Sequence, residues 1–104
     1  CSNGGVNTPL HYDGSSNFLA QLRGRKRVLL FHPRHSFRLY PYPVGHPLDN
    51  YSMVPNPEAA DLSRFPAVAC AQGVEAVIEP GDVLWLPAYW WHYVCQPDEG
   101  VENM

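Results

Sequence analysis

Charge is scarce in this sequence: Asp, Glu, Lys and Arg make up 16% of 104 residues, well under the quarter usual in globular proteins. Lysine nearly vanishes, with Lys26 the single example. A net charge of -3 argues against a general nucleic-acid-binding surface. No apolar run approaches the ~18 residues of a helical membrane span, so these residues contain no such span and no membrane partner is expected. No basic stretch followed by an apolar run opens the sequence as a secretory leader would. Cysteine is sparse and scattered. Cys1, Cys70 and Cys95 form no C-x-x-C pair and no even-numbered framework. They read as reduced thiols of an intracellular protein, cytoplasmic or nuclear, with Cys70 and Cys95 as small core residues.

Apolar residues are plentiful at 45%, and eight glycines and eleven prolines force frequent turns. The length suits one domain. Residues 1–8 read as loop, followed by a short extended stretch from Leu10 to Asp13. Asn17 to Arg23 alternates with period two, Phe18, Ala20 and Leu22 on one face and Asn17, Leu19 and Gln21 on the other, the mark of a strand. Gly24 turns the chain, and Val28 to Phe31 is an apolar strand expected to close a hairpin. Residues 33–66 hold seven of the prolines and cannot form a central strand. One helical turn is expected there, capped by Asn56 and opened by Pro57 and Glu58. The segment reads as a loop covering a site. Val74 to Glu79, Val83 to Leu86 and Tyr89 to Gln96 read as further strands, the first two joined by a Pro80-Gly81-Asp82 turn. The sum is an all-β sandwich or barrel with one short helix.

Six of the seven basic residues (Arg23, Arg25, Lys26, Arg27, Arg34, Arg38) cluster. The cluster reads first as a solvated hairpin end and second as a patch for an acidic partner.

Three residues suggest chemistry. In an extended His11-Tyr12-Asp13, the imidazole and carboxylate share a face while Tyr12 points away. Their Cα atoms would lie roughly 6.6 Å apart at about 3.3 Å per residue, a span suited to two ligands of one metal. H-x-D also arises by chance, and His92, alone, reads first as a core histidine bonded to a backbone carbonyl. Together, two histidines and a carboxylate form the facial triad of non-haem Fe(II) oxygenases, which leaves positions open for co-substrate and oxygen. Lys26 could bind the far carboxylate of a dicarboxylate co-substrate, with Thr8 and Asn17 as polar helpers. Without the triad each is an ordinary hairpin, turn or strand residue.

Four segments then carry a resemblance: Thr-Pro-Leu-His-Tyr-Asp, Asn-Phe-Leu-Ala-Gln-Leu-Arg-Gly-Arg-Lys-Arg, Leu-Tyr-Pro-Tyr-Pro-Val, and Pro-Gly-Asp-Val-Leu-Trp-Leu-Pro-Ala-Tyr-Trp-Trp-His-Tyr. In this order, from about Thr8 to Val94, they resemble the JmjC/cupin-like 2-oxoglutarate oxygenases, and within these the asparaginyl hydroxylases of hypoxia-inducible factor. The resemblance implies a double-stranded β-helix (jelly-roll, cupin) with a Pro-rich insertion, residues 1–104 forming one catalytic core incomplete at both ends. It implies Fe(II) held by His11, Asp13 and His92. It implies 2-oxoglutarate held by Lys26, Thr8 and Asn17, with O2 as second co-substrate. The implied reaction hydroxylates a protein or peptide side chain of Asn, Asp or His type and yields succinate and CO2. Asn50 and Tyr51 stand where the asparaginyl hydroxylases carry an Arg-Gln pair that grips the peptide, and Gly14 stands where they carry an acidic residue. Alternatives are the same chemistry on RNA or methyl-lysine, and a non-catalytic metal-binding cupin module.

Overall fold

The computed structural model describes residues 6–21 and 23–96. Cys1 and Leu22 lie outside them. Among the described residues, six strands form two antiparallel sheets. β1 (Val6–His11), β6 (Trp91–Gln96), β3 (Lys26–Phe31) and β4 (Val74–Ile78) make a four-stranded sheet in that order. β2 (Asn17–Ala20) and β5 (Val83–Leu86) make a second, two-stranded one. This is the all-β, jelly-roll type of architecture expected from the sequence.

The strand partners differ from a simple hairpin. β2 pairs β5, with Asn17 opposite Leu86 and Ala20 opposite Val83, while β3 pairs β4 and β6. Alternation identifies a strand but not its neighbour. Here the Gln21 N–H donates to Asp82 O and the Gly81 N–H to Gln21 O, both at 3.0 Å, which prolongs the β2–β5 pairing to its end. Gly24, at φ 61°, then takes the left-handed conformation that glycine adopts freely, and the chain crosses to the large sheet. The Pro80–Asp82 turn forms as expected, with Gly81 at φ 95° and the Asp82 N–H donating to Glu79 O at 2.9 Å.

β1 also departs from expectation: it starts at Val6, inside the stretch read as loop, and ends at His11. Thr8 pairs Val94 but His11 pairs His92, so β1 spends one more residue than β6 over this interval. That is a β-bulge, at the point where Pro9 has no N–H to give and the Leu10 N–H turns to Pro55 O at 3.0 Å. Residues 50–55 run along the free side of β1, bridging Tyr51 to His11.

Apolar side chains gather on both faces of the large sheet. Between the sheets lie Val28, Leu30, Ile78 and Leu86, with Leu19, Leu84 and Val94 against them. On the outer face lie Leu10, Phe31, Leu39, Trp91, Tyr93 and Cys95, flanked by the Pro-rich segment. That segment holds three short 3-10 helices: Pro33–Arg38, Pro57–Ala59 and Pro66–Cys70. The expected Asn56 cap is present, its Oδ1 accepting from the Glu58 N–H at 2.9 Å. Pro33 and Pro66 open two more turns by the same preset φ.

Phe18 and Trp85, opposite one another on the outer face of the small sheet, remain exposed. Cys70 is exposed and free rather than buried. Cys95 is fully buried, as expected. Arg27 is no solvated hairpin residue: it is half-buried and pairs with Glu58 and Glu75, tying β3 to β4 and to the second 3-10 helix. Among the described residues no helix is long and apolar enough to cross a membrane.

Candidate metal centre

His11 is the last residue of β1, and His92 faces it from β6. Cross-strand partners share a face, so both imidazoles point between the sheets, with Leu30, the other neighbour of His92. Asp13 lies just past β1. Its carbonyl accepts from the Tyr89 N–H at 2.8 Å, and the Tyr12 N–H donates to Asn50 O at 2.9 Å. These bonds hold the turn that brings the carboxylate back over the strand end. The side chains of His11, Asp13 and His92 each offer a ligand atom, all within 4.8 Å of one another.

The backbone orients both rings. His11 Nδ1 lies 2.8 Å from Pro9 O, and His92 Nδ1 lies 3.2 Å from Trp90 O. Each carbonyl can only accept, so each Nδ1 carries a proton and each neutral ring presents its Nε2 lone pair. Those lone pairs face Asp13: His11 Nε2 is 3.8 Å from Oδ1, and His92 Nε2 is 3.5 Å from Oδ2. Burial, then the nearby His11, push the His92 imidazole below its ordinary pKa and oppose a second proton there. With both rings neutral, three electron-rich donors converge on one point. A cation bound at all three relieves that repulsion, and borderline N and O donors suit Fe(II), Mn, Co, Ni or Zn. The i−2 carbonyls that fix the tautomers are backbone groups, invisible to motif reading. Tyr51 stacks on His11 with ring centroids 5.0 Å apart, walling one side of the site. Its signal in the sequence was its position in the Pro-rich loop.

Register places the remaining candidates on the inner face. Lys26 alternates with Val28 and Leu30 and pairs Ile78, all three members of the inner core. It is half-buried, and four residues along β3 from Leu30 correspond to about 13 Å. Thr8 pairs Val94 and Asn17 pairs Leu86, both inner-face residues. Thr8 and Asn17 themselves are exposed.

The pattern of the cupin-like domain family matches residues 1–102. The chain belongs to the cupin-like domain family. It is 41% identical over 90 residues to JmjC domain-containing protein D of Dictyostelium discoideum, covering 86% of this chain and 20% of that protein. It is 44% identical over 91 residues to lysine-specific demethylase 8 of Danio rerio, covering 88% and 22%. It is 39% identical over 100 residues to tRNA wybutosine-synthesizing protein 5 of Mus musculus, covering 96% and 30%. The chain thus spans between a fifth and a third of the length of these relatives. The likeness to JmjC and cupin-like proteins stands at family level. The narrower likeness to the asparaginyl hydroxylases of hypoxia-inducible factor is not what these relatives carry.

Proposed function

We propose that residues 1–104 form one catalytic core of an Fe(II)- and 2-oxoglutarate-dependent dioxygenase that hydroxylates a protein side chain. The observation that carries this reading is the convergence of two Nε2 lone pairs and the Asp13 carboxylate on one point between the sheets. His11, Asp13 and His92 would hold the metal from one side, leaving the other open. With O2 as the oxidant, Fe(II) bound there would couple oxidative decarboxylation of 2-oxoglutarate to C–H hydroxylation, one oxygen atom going to succinate and the other to the new hydroxyl as CO2 is released.

Lys26 would take the distal carboxylate. A five-carbon dicarboxylate and the lysine stem together suit the distance that register sets along β3. Thr8, level with Val94 between Lys26 and His92, would add a hydroxyl donor. Asn17, from the opposite sheet, would add an amide. The apolar inner-face residues Val28, Leu30, Ile78 and Leu86 would exclude water around the co-substrate and strengthen the Lys26 pairing.

A second reading keeps the reaction and changes the substrate. It draws on two relatives, one named a lysine-specific demethylase and one a tRNA wybutosine-synthesizing protein. The test for both supplies the chain with Fe(II), 2-oxoglutarate and separate pools of peptides, methyl-lysine peptides and RNA. Succinate release stimulated by unmodified peptides supports protein hydroxylation. Stimulation by methyl-lysine peptides or RNA alone moves the substrate. Turnover that survives Asp13→Ala would refute the catalytic assignment.

A further inference from the structure

Where residues 50–55 run along the free side of β1, Pro9, Tyr42, Leu48, Tyr51, Ser52 and Pro55 line a groove of about 360 Å³. Tyr51 connects this groove to the metal centre: its ring stacks on His11, with 5.0 Å between centroids and 19° between planes. Tyr42 is stacked in the same way on His46, at 4.7 Å and 22°. Neither histidine is part of the lining. Each stack therefore holds its tyrosine from behind and leaves the rest of the ring to the groove.

We propose that this groove binds a proline-rich peptide segment in the polyproline II conformation. No lining residue is charged, so the charge match is to a neutral segment. The hydrogen-bonding groups of the walls then select proline. Pro9 and Pro55 have no N–H to offer. The Tyr42 N–H donates to Tyr51 O at 3.1 Å, the Tyr51 N–H to Leu48 O at 2.8 Å, and the Ser52 N–H to Leu10 O at 3.0 Å. The Leu48 N–H donates to His46 Nδ1 at 3.0 Å. The Ser52 hydroxyl donates to Leu39 O and accepts from the Val54 N–H. Acceptors are engaged too: Pro9 O accepts from His11 Nδ1, and Pro55 O from the Leu10 N–H.

Every backbone N–H of the lining is thus spent, and an added strand would find no row of free groups to pair with. An ordinary residue also brings an N–H of its own, which these walls would bury unpaired at a cost. A proline brings none. Its ring packs on tyrosine, and polyproline II leaves the carbonyls without internal bonds, ready to accept from a hydroxyl. Tyr42 and Tyr51 carry the hydroxyl donors that remain in the walls. Such aromatic-lined grooves are the recognised seat of proline-rich segments. His11, Asp13 and His92 are absent from the lining, so the inference depends neither on a bound metal nor on turnover of 2-oxoglutarate.

The test is equilibrium binding to the full chain of two short uncharged peptides, one rich in proline and one with alanine at each proline position. The proline peptide should bind at least about tenfold tighter, since its bound conformation is already populated in solution. Tyr42→Phe and Tyr51→Phe keep the rings and remove one hydroxyl each, and each should weaken binding by about three- to tenfold. Leu48 is 43% exposed, so Leu48→Asp puts a charge in the wall without burying it in the core, and binding should fall by at least about tenfold. Asp13→Ala should leave binding unchanged. Should Leu48→Asp lose its circular dichroism signature, the two Phe variants and the alanine peptide decide. Equal binding of the two peptides, no binding, or no loss in the folded groove variants overturns the proposal. Loss in Asp13→Ala also overturns it, by moving the peptide to the metal centre.

Discussion

Thr8 and His11 face the same side of the large sheet although they stand three positions apart. Strict alternation would put them on opposite faces. The bulge at Pro9 and Leu10 adds the residue that turns both inward, Thr8 beside Val94 and His11 beside His92.

Deleting Pro9 would leave Thr8 and His11 two positions apart, opposite Val94 and His92, so plain alternation should keep both inward without a bulge. Metal affinity should then stay within about tenfold of the wild-type value, at or below what the loss of an outer-shell partner costs. Calorimetric titration checks it, with circular dichroism confirming retained strands. A loss of at least about 100-fold in a folded deletion variant would contradict this account of the register.

Lys26→Ala should raise the 2-oxoglutarate concentration for half-saturation by about 10- to 100-fold, as expected for a charge-assisted bond worth ~1.5–3 kcal/mol. Metal affinity should stay unchanged. Binding measured in the presence of a redox-inert metal separates the two effects.

Acidification should destabilise the metal-free chain. Burial, then His11, hold the His92 imidazole below its ordinary value of about 6.5. His35, whose Nδ1 lies 3.0 Å from Arg38 Nη1, is lowered too, by burial first and Arg38 second. Below pH ~6.5 the unfolded chain binds protons that the folded chain resists, so stability falls with pH until the folded values are reached. The urea midpoint should be lower at pH 5 than at pH 7.5. Metal affinity should decline over the same range, because protons and metal compete for the imidazole lone pairs.

Much of this site was legible because its logic is local. His11-Tyr12-Asp13 converts i, i+2 spacing directly into two donors on one side and a tyrosine on the other. Lys26 could be put on a strand, though not beside its partners: alternation over Asn17 to Arg23 and the apolar run Val28 to Phe31 reveal strands, while the choice between a hairpin and a crossover depends on bonds to distant Asp82 and Gly81. The start of β1 was obscured by Pro9, which reads as a breaker but sits at a bulge. The cleft lined by Tyr12, Tyr42, Asp49 and Tyr89 on the outer face of the large sheet was not legible, since these residues meet only after the Pro-rich segment folds over the sheet. Cys70 shows the limit of composition: an apolar neighbourhood in sequence became an exposed 3-10 turn.

The core behind the site should be sensitive to truncation. Leu10 is completely buried in the outer core directly behind His11. Leu10→Ala should cost about 2–5 kcal/mol in chemical denaturation and weaken metal binding by loosening the strand end.

Anaerobic calorimetric titration of Fe(II) into the wild-type chain, Asp13→Ala and His92→Ala bears most directly on the centre. One equivalent should bind the wild type tightly, with binding lost or weakened at least about 100-fold in both variants. Equal stoichiometry and affinity in all three would show that these side chains do not share a metal ion.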